Sequence, residues 1–169
     1  LDASAVRRCL EALVERHPTL RTHIAQDSVT GETMQRVVPM SEYEVVLEVL
    51  VDNGCESGEA FVTRLCEAPF DLYGGPWSRY GLLQHAKSAA GGGSTLVLGM
   101  HHIAGDRWSY EVLMPEFEAL YAVADDVSLF GGQLCDAAGM TPLTVQYVDF
   151  AHWQREWLGV VSESQLAYW

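Results

Sequence analysis

Basic residues are scarce in this chain of 169 residues: 10 Lys and Arg stand against 23 Asp and Glu, a formal charge of -13. An encounter with a phosphate backbone or an anionic lipid surface would begin with repulsion, which argues against nucleic-acid and membrane partners. No run of about 18 consecutive apolar residues occurs, and no basic segment leads into an apolar one at the N-terminus. The chain therefore reads as soluble and cytoplasmic. It also lacks a CxxC pair. Cys9, Cys55, Cys66 and Cys135 are widely spaced, which argues against a zinc ribbon or a redox dithiol and leaves buried free thiols as the expectation. The triple glycine Gly91-Gly92-Gly93 is followed by no Gly-Lys-Ser/Thr, and no GxGxxG is present, so it reads as a loop and not a phosphate cradle. Internal repeats are absent.

What the chain has is enough apolar material for one core, with 49% hydrophobic and 20% charged residues. Val6, Cys9, Leu10, Leu13 and Val14 recur at helical spacing between Ala3 and Arg16, with Asp2 or Ser4 as caps and Pro18 as the stop. Strands are expected at Leu20 to Ile24, Thr33 to Val38, Val45 to Val51, Trp77 to Gln84 and Thr95 to His101, with a turn at Asn53-Gly54 and a loop at Ser88 to Ser94. A helix around Glu59 to Glu67 ends before Pro69. A third helix follows the histidines to about Ala124, with Pro115 bending it or resetting its start. Gly131 to Pro142 reads as loop. Leu143, Tyr147, Phe150, Ala151, Trp157 and Leu158 form the apolar face of another helix, and a last helix starts at Ser162. The aromatic cluster Tyr147, Phe150, Trp153 and Trp157 reads as core packing. Helices packed on a mixed β-sheet, an α/β fold, is the expected architecture.

Chemistry concentrates in Met100-His101-His102-Ile103-Ala104-Gly105-Asp106-Arg107-Trp108-Ser109, where an apolar strand delivers two histidines into a turn closed by an aspartate. Neighbouring strand side chains alternate faces, so His101 and His102 point opposite ways and one of them serves a given site. An imidazole, with an ordinary pKa of about 6.5, accepts a proton at neutral pH. Asp106 is placed to hold an imidazole, pair with an arginine or cap the following helix. Divergent histidines with no third ligand at a familiar spacing argue against a metal site. Residues alone leave catalysis and a structural role for the histidines both open.

Four ordered stretches resemble the condensation domains of nonribosomal peptide synthetases. His101-His102-Ile103-Ala104-Gly105-Asp106 with Trp108-Ser109 is similar to that family's HHxxxDG signature. Arg16-His17-Pro18-Thr19-Leu20-Arg21-Thr22 is similar to RHxxLRT. Phe70-Asp71-Leu72 with Gly75-Pro76 and Arg79 is similar to FDLxxGPxxR. The stretch from Tyr147 to Leu158 resembles YxDYAxWQ. The resemblance implies a chloramphenicol acetyltransferase-like fold, in which two lobes meet in a V around a tunnel. It implies that residues 1-169 are most of the N-terminal lobe, without the first strand and the whole C-terminal lobe, and that apolar surface facing the missing lobe is left exposed.

The implied activity is condensation of a carrier-bound acyl or peptidyl thioester with a carrier-bound aminoacyl amine, the lobe being inactive alone. His102 would be catalytic, as general base or by positioning the amine and stabilising the tetrahedral intermediate. His101 would pack on the other face. Asp106 would organise the loop through an arginine, with Arg21 a candidate partner. Arg107, Trp108 and Ser109 would stand at the tunnel mouth. No bound cofactor is implied, and no serine motif for phosphopantetheine is evident, so that arm would arrive on upstream and downstream carrier proteins. One departure stands out: the family's glycine after the aspartate is Arg107 here, a side chain that blocks substrate, holds an anionic acyl group or turns outward. Blocking would make the domain a degenerate module that recruits carriers or enzymes. A further alternative is an ester- or amide-forming acyltransferase of the same fold.

Overall fold

The computed structural model describes residues 1–52, 57–85 and 92–168, so the expected turn at Asn53-Gly54 and most of the loop at Ser88 to Ser94 lie outside the described residues. Helix α1 (Ala3–Arg16) is opened by Asp2, whose carboxylate accepts the Ala5 N–H at 2.9 Å. That bond satisfies one of the first-turn donors that a helix leaves without a partner. Pro18 fixes its own φ and begins a single 3₁₀ turn, Pro18–Arg21, which leads into strand β1 (Thr22–Gln26). Strand β1 pairs with β2 (Thr33–Val37) as a separate antiparallel hairpin.

The main sheet contains β3 (Leu47–Val51), β4 (Ser78–Gln84) and β5 (Ser94–Met100) in that order, with β3 parallel to β4 and β4 antiparallel to β5. Helix α2 (Gly58–Glu67) lies in the long connection that a parallel pair requires. Strand periodicity then divides the sheet between two layers. Tyr80 and Leu82 join the α1 side of the core, whereas Leu83 packs with Phe61 and Leu65 of α2. Gly81 is what lets α2 lie so close: a methyl group there would stand 2.3 Å from Leu65 Cδ1. The mixed sheet covered by helices agrees with the expected α/β class.

On the α1 side, helix α3 (Arg107–Val123) contributes Leu113, Phe117 and Leu120 to the core and runs through Pro115 without restarting. The segment expected to be all loop contains helix α4 (Gly131–Ala137), whose Leu134 and Cys135 are buried with α1. Two glycines at its start hid it, because glycine is a poor helix former and no side-chain cap is present. Tertiary burial of Leu134 decides the matter.

The C-terminal region departs further. One continuous helix, α5 (Tyr147–Leu166), replaces the two expected, and none of its residues is buried. Tyr147, Phe150, Trp153 and Trp157 therefore pack on one another, with successive ring centroids 6.0, 5.7 and 6.0 Å apart, and not in the core. Helical spacing aligns them on one face, but no layer of the described chain covers that face. Cys9 and Cys135 are buried free thiols, as expected, and burial pushes the Cys9 thiol up to about 11. Cys66 is instead exposed on α2, and Cys55 lies outside the described residues. Among the described residues no helix is long and apolar enough to cross a membrane.

Candidate active site

Strand β5 ends at Met100, one residue before the histidine pair, so the two imidazoles stand on a turn and not within a strand. His101 extends the ladder by donating its N–H to Trp77 O at 2.8 Å, and its carbonyl accepts the Ala104 N–H at 2.9 Å. Its ring Nδ1 accepts the Ile103 N–H at 3.1 Å. A nitrogen that accepts carries no proton, so neutral His101 holds its proton on Nε2. The ring also meets Phe70 in a T-shaped contact, with centroids 5.8 Å apart. His101 is thus committed to the turn. His102 is exposed and has no hydrogen-bond or ionic partner among the described residues.

Asp106 is the N-cap of α3. Its Oδ1 accepts the Ser109 N–H at 3.0 Å and the Ser109 hydroxyl at 3.1 Å, while its own N–H donates to Ser109 Oγ at 3.1 Å. These bonds favour the ionised form and hold the Asp106 carboxyl below the usual carboxylate range. The expected pairing of Asp106 with Arg21 is not observed. Arg21 donates instead to the Val14 carbonyl at 3.2 Å and the Val38 carbonyl at 2.6 Å, tying the end of α1 to the chain beyond β2. Serine within the same helical turn reaches the carboxylate first, which is why the aspartate caps and does not pair. Gly105 leaves room for this closure: a methyl there would stand 2.7 Å from Met100 Cε and 2.8 Å from Ser109 Oγ.

Of the three residues expected at a tunnel mouth, Arg107 turns outward. Its side chain is 94% exposed and reaches only Glu111, one helical turn on, at 3.4 Å. Trp108 and Ser109 border a hollow of about 190 Å³ together with His17, Leu20, Met100 and Ala104. His17, from the RHxxLRT-like stretch, donates from Nε2 to Glu116 Oε2 at 2.5 Å, and Arg16 Nε donates to Glu116 Oε1 at 3.0 Å. Sequence reading did not single out Glu116. Its signal was an acid at position 116 on the helical stripe that also carries Leu113, Phe117 and Leu120, since an acid on a buried face needs a donor. Phe70 and Arg79 are legible as motif residues, but the contact of Phe70 with His101 and of Arg79 with Phe70 needs the fold.

The arrangement can do proton chemistry. One imidazole is locked by backbone and ring contacts, and the other is open to solvent beside a turn that borders an apolar hollow. Among the described residues no group of three His, Cys, Asp or Glu side chains is placed to hold a metal ion.

A family model described as Condensation domain matches residues 1–169. A linear gramicidin synthase chain of Brevibacillus parabrevis is 37% identical over 174 residues, covering 100% of this chain and 2% of that protein. Phosphinothricin tripeptide synthetase PhsC of Streptomyces viridochromogenes is 35% identical over 179 residues, covering 100% of this chain and 15% of its own length. Among solved structures, the X-domain from teicoplanin biosynthesis superposes with a TM-score of 0.67 at 25% identity, over 94% of this chain and 31% of that one. The chain thus spans a small part of the curated relatives it matches.

Proposed function

Because this chain belongs to the condensation-domain family, we propose that it helps join an acyl or peptidyl group, held as a thioester on one carrier protein, to the aminoacyl amine held on another. The family forms amide and ester bonds in peptide and polyketide assembly. In the proposed step the amine nitrogen attacks the thioester carbonyl, the C–N bond forms, and the C–S bond breaks with the carrier's phosphopantetheine thiolate as leaving group. An α-amine has a pKa of about 7.7 to 8.0 and is mostly protonated at neutral pH, so attack needs a neighbouring base. His102 takes the proton that the attacking nitrogen must lose and returns it to the departing sulfur. The observation that carries this reading is the division of labour in the turn: His101 is held by Trp77, Ile103 and Phe70, while His102 is exposed and unpartnered among the described residues.

Residues 1-169 are, in this reading, most of the N-terminal lobe of a larger domain, inactive alone. Two observations support it: the chain superposes on 31% of the X-domain structure, and the aromatic face of α5 is exposed. Arg107, Trp108 and Ser109 stand at the approach to the turn, where an outward guanidinium would meet anionic groups first. The replacement of the family's glycine by Arg107 is the sequence ground for a second reading, a non-catalytic module that recruits carriers or enzymes, and the outward turn of that side chain weighs against it. The test is mass-spectrometric detection of acyl transfer between two loaded carriers, run with the full domain and with this chain alone. Product from the full domain and none from the chain alone is expected. Carriers that bind but yield no product, with their loading verified, would favour recruitment.

A further inference from the structure

We propose that Arg79 is a positioning residue for the histidine turn, acting through Phe70 on His101; the functional meaning of this relay rests on the role assigned to His102. Pro69 has no N–H, so the Leu65 carbonyl, four residues earlier at the end of α2, lacks its helical donor. Arg79 fills that gap. Its Nη1 donates to Leu65 O at 3.5 Å and to Ala68 O, and its Nη2 donates to Pro69 O. A fixed cation at a helix C-terminus also meets the negative end of the helix dipole. Three carbonyls therefore hold the guanidinium, and its Cζ lies over the Phe70 ring, 4.0 Å from the centroid. Arginine suits this place because its planar, delocalised cation can donate in its plane and stack on its face at once. Gly99, opposite Arg79 in the β4–β5 ladder, presents no side chain to compete with it.

Phe70, held by Arg79, also meets the ring of His101 in the T-shaped contact. The orientation of that ring matters because its Nδ1 holds the Ile103 N–H, the peptide group that follows His102. Rotation of His101 would release this peptide and with it the direction in which His102 projects. The path from Arg79 to the exposed imidazole is thus a sequence of named contacts: guanidinium on ring, ring on imidazole, imidazole on peptide.

The experiment is NMR on the full chain, reading the His101 tautomer from long-range ¹H–¹⁵N correlations and the hydrogen exchange of the Ile103 amide. Neither readout depends on turnover, so failure of the role assigned to His102 would leave the result interpretable. In the parent, the proton of neutral His101 is expected on Nε2 and the Ile103 amide protected. Phe70→Leu and Arg79→Gln should each mix the tautomers and speed Ile103 exchange by about tenfold, and combining them should add little. Phe70→Tyr, which keeps the ring, should restore the parent pattern. Arg79→Lys keeps the charge and loses the stacking plane, so it gives the same reading with less risk to the fold and should also mix the tautomers. An unchanged His101 tautomer and unchanged Ile103 exchange in folded Arg79→Lys or Arg79→Gln would overturn the relay. Fully additive effects of the Phe70 and Arg79 changes would overturn it too.

Discussion

Asp106 and Ser109 close on each other: the Ser109 N–H donates to Asp106 Oδ1 at 3.0 Å and the Asp106 N–H donates to Ser109 Oγ at 3.1 Å. This reciprocal cap fixes where α3 begins and therefore how far the histidine turn extends. In the proposed site the aspartate of the signature therefore acts through a helix start.

Asp106→Ala should lower the thermal midpoint and the soluble yield, whereas Asp106→Asn, which keeps a capping oxygen, should retain most of both. The pH dependence has a definite sign. Because the folded carboxyl titrates below the ordinary aspartate value, its stabilisation is fully present above about pH 4 and is lost as pH falls through the lower folded pKa. Asp27, Asp71 and Asp126 are shifted in the same direction, so the informative curve is the difference between parent and Asp106→Ala. That difference should shrink on acidification; a gap that stays constant would show that the cap does not titrate.

Glu116 joins the last residue of α1 and its neighbour to the middle of α3, with Arg16 and His17 side chains only 11% and 18% exposed. Glu116→Ala removes the acceptor of Arg16 Nε and His17 Nε2, while Arg16 Nη1 keeps the Thr141 carbonyl, and should cost about 1.5–3 kcal/mol in urea unfolding. A loss well below that range would mean that water replaces the carboxylate without penalty.

Arg107→Gly should lower the thermal midpoint only slightly, because an exposed ion pair one helical turn apart contributes little and glycine at the first helical position costs no more than about 1 kcal/mol. Acyl transfer should persist at a similar rate with neutral substrates, since the side chain turns outward. Product appearing only after this substitution would identify Arg107 as a block and support recruitment as the natural role.

Packing makes a separate contrast. Leu134→Ala removes a fully buried side chain beneath α1 and should cost about 2–5 kcal/mol. Val160→Ala, at an exposed position of α5, should stay within about 0.5 kcal/mol. Equal effects in chemical denaturation would mean that α4 is not part of the core.

Much of this is legible in the sequence alone. The Val6–Leu10–Leu13 stripe, the proline stop at Pro18 and the alternation of Val45, Leu47, Val49 and Val51 with Glu44 and Glu48 around β3 point to α1 and a strand of the sheet through local periodicity, and four ordered motifs point to the family. Three features were not legible because they depend on tertiary neighbours. Helix α4 follows two glycines that argue against it, and only the burial of Leu134 and Cys135 gives it a reason to form. The aromatic residues of α5 have the spacing of a core face, yet sequence does not say whether a layer lies opposite. Arg21 and Asp106 carry complementary charges, but nearer groups engage them first: the Val14 and Val38 carbonyls hold the guanidinium, and the Ser109 N–H and hydroxyl hold the carboxylate. For the site itself, the histidine pair was readable, while the contacts of Phe70 and Glu116 required the fold.

The most direct test of the central claim is the rate of acyl transfer between loaded carriers by the full domain carrying His102→Ala, compared with the parent and followed by mass spectrometry. A loss of about 10²- to 10⁴-fold in a variant with an unchanged melting curve is the expected result for a residue that handles the proton. Transfer at the parental rate by that folded variant would contradict the assignment of His102.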